Sequence, residues 1–440
     1  ATLTLDGPFA SEGGSPNPFL DYRMDVTFTN GSLAYTVPGY FAADGDAANT
    51  SATSGNKWRA HLSPDLTGTW SYTIRFRQGP DAAVQGGGTA LPPYDGLSGS
   101  FAVAETDKTG RDLRGKGRLG YVGRHHLRFA GTGEYFLKSG ADSPENFLAY
   151  ADFDNTPDVH GLRKTWEAHR PDWQAGDPAW KNGLGKGIIG AVNYLSGKGM
   201  NALSFLTMSV LGDDQNVFMW ASPADPRRYD CSKLDQWEIV LSHADAAGMF
   251  LHFKTQEYEN DRLLDGGDLG PTRRLYFREL IARFGHHLAL NWNLGEENQQ
   301  TDAQRKAMCD YIRGLDPYDH LIVVHSEPQD IGPTYTPLLG YPTLDGASLQ
   351  TAKADAHATT LDWVRQSAAA GRPWVVSHDE MLYGAPHDGI DYAHDEVRKE
   401  VLWGNLMAGG AGVEYYFGWG DPQFDDLTCQ AFRTRARLWD

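Results

Sequence analysis

Two acidic clusters close two apolar runs. Residues 288–298 read LALNWNLGEEN, and residues 373–380 read PWVVSHDE. Each run has the composition of a buried strand, and each ends in adjacent carboxyl side chains: Glu296 with Glu297, and Asp379 with Glu380. A pair of carboxyl groups gathered at one site is the equipment of glycosidic-bond cleavage. One group stays protonated to assist the leaving oxygen, and the other is ionised and attacks the anomeric carbon or activates water. Strict strand alternation points only one member of each adjacent pair inward, so both members stay candidates.

The elements that must bring the two clusters together follow from the hydrophobic period. From about residue 132, short apolar strands alternate with amphipathic helices. Eight strands are expected, at 135–140, 202–207, 249–255, 288–294, 321–325, 346–350, 374–377 and 413–419. Helical patterns occupy 187–197, 231–247, 271–284, 302–315, 359–370 and 391–407, with Asp302 and Thr359 as expected N-caps. Repeated strand–helix alternation implies a parallel sheet, and eight strands imply a closed (β/α)8 barrel. The acidic clusters then end the fourth and seventh strands, on opposite sides of the C-terminal mouth where barrel chemistry takes place.

The first 105 residues have a different period. Runs such as 23–29 (RMDVTFT), 69–77 (TWSYTIRFR) and 99–104 (GSFAVA) alternate in polarity and are separated by turn residues. They predict an all-β sandwich. Residues 106–131 include the basic, glycine-rich stretch KTGRDLRGKGR (108–118) and read as a solvated connector. The expected organisation is therefore a sandwich at 1–105, a connector at 106–131 and the barrel at 132–440. The long 141–186 link carries Trp166, Trp173 and Trp180, as a loop building a substrate cleft would. The link 326–345 shows no clear helix.

Composition narrows the partners. The formal charge of −18 argues against nucleic acid, because phosphate binding needs a basic surface. Cys231, Cys309 and Cys429 are too few for a disulfide framework and are expected as packed residues. No apolar run is long enough to predict a membrane span. The chain starts without Met, and 425–438 resembles the opening of an eighth helix, so processing or truncation is expected. The Asp44–Gly45–Asp46 turn lacks the later ligands of a calcium loop. His125 and His126 lack a third ligand at zinc spacing. No metal and no organic cofactor are expected.

The placement of acids after the fourth and seventh strands resembles the retaining (β/α)8 glycoside hydrolases of clan A. The resemblance covers residues 132–440. It implies an acid/base at Glu297, with Glu296 in the position usually held by Asn, and a nucleophile at Glu380. Glu296 and Asp379 are the alternatives. Further polar groups at strand ends are expected at the mouth as substrate contacts: Asp142, Asn146, Lys254, Glu257, His325, His378 and Trp419. The whole chain is also similar to a group of secreted bacterial candidate glycosidases that carry an N-terminal β-sandwich. Residues 5–12 (LDGPFASE), 37–45 (VPGYFAADG) and 140–147 (GADSPENF) carry that likeness. It implies a secreted or periplasmic hydrolase of a polysaccharide or oligosaccharide, with no nucleic-acid or membrane partner. Two rivals are a non-catalytic carbohydrate-binding protein on the same scaffold and a polysaccharide lyase. Sugar, linkage and oligomeric state are not encoded in any motif.

Overall fold

A computed structural model describes residues 1–142, 145–212, 215–382 and 397–415. The alternating N-terminal runs form two antiparallel sheets. One pairs Thr2–Ser11, Ser54–His61 and Tyr40–Phe41. The other is built on Tyr22–Asn30, with Leu33–Pro38 on one side and Gly68–Gln78 on the other; Thr89–Ala90 and Ser98–Val103 pair with Gly68–Gln78. Every second side chain turns inward, as a pleated strand requires. Met24, Val26, Phe28, Trp58, Trp70, Ile74 and Phe76 are all buried in the core.

The remaining strands close a parallel barrel in sequence order. They are β1 (Lys138–Ala141), β2 (Ala202–Leu206), β3 (Phe250–Lys254), β4 (Leu290–Asn293), β5 (Leu321–Ser326), β6 (Gly346–Ala352), β7 (Val375–Leu382) and β8 (Gly412–Tyr415). The outer ring includes α1 (Lys186–Gly197), α2 (Cys231–Ala247), α3 (Pro271–Phe284), α4 (Asp302–Leu315), the short α5 (Ile331–Tyr335), α6 (Ala356–Ala369) and α7 (Trp403–Met407). The chain is thus a β-sandwich followed by a (β/α)8 barrel.

Several local expectations shift. Tyr135–Phe136 is not part of the first barrel strand. It pairs instead with Leu127–Phe129, which also pairs with Leu119–Tyr121. The segment read as a solvated connector therefore contributes a small sheet. Its Leu119, Leu127 and Phe129 pack with Phe136, Phe250, Val323 and Val375 and close the barrel floor. The N-cap of α4 is Thr301 rather than Asp302, with Gln304 completing a capping box. Thr359 lies inside α6, which begins at Ala356. Trp166 and Trp180 are buried core residues of the long first link. Cys231 and Cys309 are free and buried, as expected of packed residues. Trp419 and Cys429 lie outside the described residues.

The two units share a buried junction. Arg278 on α3 donates to Asp25 Oδ1 and to the Met24 carbonyl, both at 2.8 Å. Glu12 accepts the Cys231 N–H at 2.8 Å, and Arg283 donates to the Phe41 carbonyl at 3.1 Å. Burial pushes the Asp25 carboxyl up, but Arg278 and Arg23 overcome this and hold it below its ordinary value.

Candidate active site

The mouth owes its geometry to two departures from regular strand structure. On β7 the pairing with β6 slips by one residue, so that Leu349 faces His378 but Gln350 faces Glu380. The extra residue is Asp379. Such a bulge lets two consecutive side chains reach the same side of a strand. Asp379 accordingly reaches Lys138 within the barrel, while Glu380 sits above it at the mouth.

The second departure follows β4. Gly295 has φ 156° and Glu297 φ 46°, the left-handed region that a non-glycine residue enters only at a cost of about 1–3 kcal/mol. A Cβ on Gly295 would lie 2.9 Å from Gln256 Cγ and 3.1 Å from Asn298 Nδ2, so a larger residue would have to displace both side chains. The turn is held by Gly295 N–H to Asn293 Oδ1 at 3.2 Å, Glu296 N–H to the Gln256 carbonyl at 2.7 Å, and Arg305 on Asn298. It separates the adjacent acids. Glu296 is buried against the barrel interior, whereas Glu297 is half-buried at the rim and accepts from Gln350 Nε2 at 3.2 Å.

Glu296 is the hub of the upper layer. Its Oε1 lies 2.8 Å from His325 Nδ1, and its Oε2 contacts Lys254 Nζ. Lys254, fully buried, also reaches Asp142 at 2.6 Å and Glu145 at 3.3 Å. His325 Nε2 lies 3.7 Å from Glu380 Oε2. Carboxylate oxygens of Glu296 and Glu380 come within 4.8 Å of one another, as do those of Asp142, Glu145 and Glu380.

These contacts divide the protons unequally. Burial pushes Glu296 up, but His325 and Lys254 more than offset it and hold this carboxyl well below its usual range. Burial likewise favours neutral His325, yet the Glu296 carboxylate raises its pKa. Glu380 is raised well above an ordinary glutamate by burial and by the charges of Glu296, Asp142 and Glu145. Burial and the Glu296 charge push Glu297 up to about 7. Asp142 rises to about 6, chiefly through burial, and Glu257 rises well above its ordinary value through burial and the surrounding glutamates. The site therefore sets one firmly ionised carboxylate, Glu296, beside carboxyl groups whose pKa values are raised.

Below this layer lies an ionic chain that the sequence does not reveal. Lys138 contacts Asp379 and lies 3.4 Å from Glu414. Glu414 lies 2.7 Å from His252 Nδ1, and His252 Nε2 is 2.9 Å from Asn293 Nδ2. Asn293 Oδ1 is the acceptor that anchors Gly295. The chain thus spans the barrel from the β7 bulge under Glu380 to the turn that carries Glu296 and Glu297. Barrel interiors are usually layers of branched aliphatic side chains. Inward-facing polar residues at alternate positions of β1, β3 and β8 were the available signal.

Of the expected contacts, Asp142, Lys254, Glu257 and His325 gather around the two acid pairs. Two others face away. Asn146 donates to the Leu162 carbonyl at 3.1 Å and pins the first link. His378 pairs with Leu349, lies 3.2 Å from Thr351 Oγ1, and is lowered to about 4 by burial. Glu145, His252 and Glu414 join the polar interior without having been expected there.

Residues 1–77 match a family described as a domain of unknown function (DUF5060). No curated protein matches the chain. Among solved structures, a candidate glycoside hydrolase from Bacteroides vulgatus ATCC 8482 superposes with a TM-score of 0.65 at 16% identity, over 96% of this chain and 71% of that one. A glycoside hydrolase family 5 mannosidase from Rhizomucor miehei gives a TM-score of 0.51 at 11% identity, over 73% of this chain and 97% of that one. At these identities the likeness is one of fold.

Proposed function

We propose that this protein hydrolyses glycosidic bonds of a polysaccharide or derived oligosaccharide, by double displacement with retention. The observation that carries the reading is the gathering of carboxyl side chains from the ends of β4 and β7 at one barrel mouth. A rim carboxyl, Glu297, is raised to about 7, and a deeper carboxyl, Glu380, stands beside the ionised Glu296. Glu297 gives its proton to the leaving oxygen as that bond breaks, and Glu380 forms a bond to the anomeric carbon. Glu297 then takes a proton from water, whose oxygen displaces Glu380 and restores both groups. Glu296 accepts a hydrogen bond from a sugar hydroxyl. This disperses the charge that faces Glu380 and lets Glu380 release its proton to solvent before it attacks.

The substrate is uncharged at the reacting sugar. The one buried lysine among the described mouth residues, Lys254, is already shared by Asp142, Glu145 and Glu296, and His325 is already engaged by Glu296. That weighs against a lyase, which needs a cation to neutralise a uronate. The likeness to solved glycoside hydrolases supports the same reading through the fold. The sandwich braces the barrel through the Arg278–Asp25 junction, and the working location is outside the cytoplasm.

The test is hydrolysis of a panel of neutral polysaccharides and aryl glycosides, with the anomer of the first product read by NMR. Cleavage with retention supports the reading. Cleavage with inversion, or release of an unsaturated product, overturns it.

A further inference from the structure

At the opposite end of β4 from the mouth, three side chains converge with no assigned role. Glu238 projects from α2. His286 and His287 occupy the turn between α3 and β4. We propose that Glu238, His286 and His287 form a binding site for one divalent cation of the zinc class, with Asp245 orienting His287.

The spacing is that of ligands around a shared ion. His286 Nε2 lies 3.2 Å from Glu238 Oε1, and His287 Nε2 lies 3.3 Å from Glu238 Oε2. Ligands bound at about 2.0–2.1 Å around a tetrahedral zinc stand about 3.3–3.4 Å apart. All three donor atoms lie within 4.8 Å of one another. The directions agree with the spacing. His287 is fully buried, yet neither its Nε2 nor the nearby Glu238 Oε2 makes a hydrogen bond. The two atoms are close without hydrogen-bond alignment between them, which leaves both available to a third partner.

The surroundings fit the same site. His287 Nδ1 lies 2.8 Å from Asp245 Oδ2. A carboxylate on Nδ1 fixes the tautomer that leaves the Nε2 lone pair free for a metal. Ser242 donates to Glu238 Oε1 at 2.7 Å and holds that side chain in place. His286 and Glu238 keep 17% and 22% of their side-chain surface exposed, which leaves a route for the ion and room for a water as fourth ligand. Two imidazoles and one carboxylate form a donor set suited to zinc rather than to calcium or magnesium. His61 stacks on His286 with ring centroids 4.2 Å apart. Its nitrogens are occupied, Nδ1 with Thr2 Oγ1 at 3.0 Å and Nε2 with the Tyr40 hydroxyl at 2.7 Å, so His61 packs without ligating. Through this stack the ion would stiffen the junction between sandwich and barrel.

The experiment uses the full, tag-free chain stripped with chelator. Zn2+ is titrated by calorimetry and Co2+ by visible absorption. The expected result is about one equivalent bound, with the intense absorption of tetrahedral cobalt and release of a proton. His286→Gln, which keeps a polar side chain against His61, and Glu238→Gln should each lower affinity at least about tenfold, and Asp245→Asn about 10–100-fold. Glu380→Gln, which removes a carboxyl from the mouth, should leave affinity unchanged. No uptake by the wild-type chain overturns the proposal and leaves a proton shared between His287 and its two carboxylates. Equal uptake by wild type and a folded His286→Gln variant also overturns it, as does loss of uptake in Glu380→Gln.

Discussion

His325 Nδ1 lies 2.8 Å from Glu296 Oε1, while the Glu297 N–H approaches the same nitrogen at 3.0 Å. One imidazole therefore meets both members of the acid pair: the side chain of the first and the backbone of the second. With Nδ1 protonated it faces the Glu296 carboxylate and helps to keep it ionised; with Nδ1 unprotonated it accepts from the Glu297 N–H at the turn that lifts Glu297 to the rim.

Replacement of the two reacting carboxyls should be decisive. Glu297→Gln and Glu380→Gln should each lose at least about 1,000-fold in kcat/KM, roughly 4 kcal/mol in the barrier. Added azide should rescue Glu380→Ala with an inverted glycosyl azide and Glu297→Ala with a retained one. Rescue of Glu296→Ala in place of Glu297→Ala would transfer the acid/base role to Glu296.

Glu296→Gln removes the charge that raises both Glu380 and Glu297. Each group then loses its proton at lower pH. The falling limb of the pH–kcat/KM profile, which follows loss of the Glu297 proton at about 7, should move to lower pH. A profile that keeps its position would show that Glu296 does not govern its neighbours.

Asp379 is expected to position Glu380 and not to react. Asp379→Asn weakens the buried contact with Lys138 that holds the β7 bulge. Loss of a buried charge partner should cost roughly 3–5 kcal/mol of stability, read by denaturant unfolding. The residual activity should not respond to azide. Rescue by azide, with stability unchanged, would instead make Asp379 the nucleophile.

The junction should make the chain acid-sensitive. Asp25 has a folded pKa below its ordinary 3.8. Its contribution is therefore fully present above that value and is lost as pH falls through the lower folded value. Arg278→Met should destabilise the chain by about 3 kcal/mol at neutral pH and flatten this acid-side decline. Parallel stability–pH curves for variant and wild type would remove Asp25 from the account.

The sequence determined the architecture and the neighbourhood of the site. Hydrophobic period is a local property, so the change from alternating runs to strand–helix repeats at about residue 132 could be read residue by residue. Once eight strands were counted, the acids at 296–297 and 379–380 had to meet at one mouth. Within each pair, the direction of a side chain depends on interactions remote in sequence. The β7 bulge that brings both Asp379 and Glu380 inward is a pairing slip against β6. The separation of Glu296 from Glu297 needs Gly295 in a conformation pressed against Gln256 and Asn298. The Lys138–Asp379–Glu414–His252 chain joins four strands, and the Glu238–His286–His287 cluster joins a helix to a turn nearly fifty residues away. Such groups are distant along the chain and acquire common partners, and with them their protonation, only when the barrel closes.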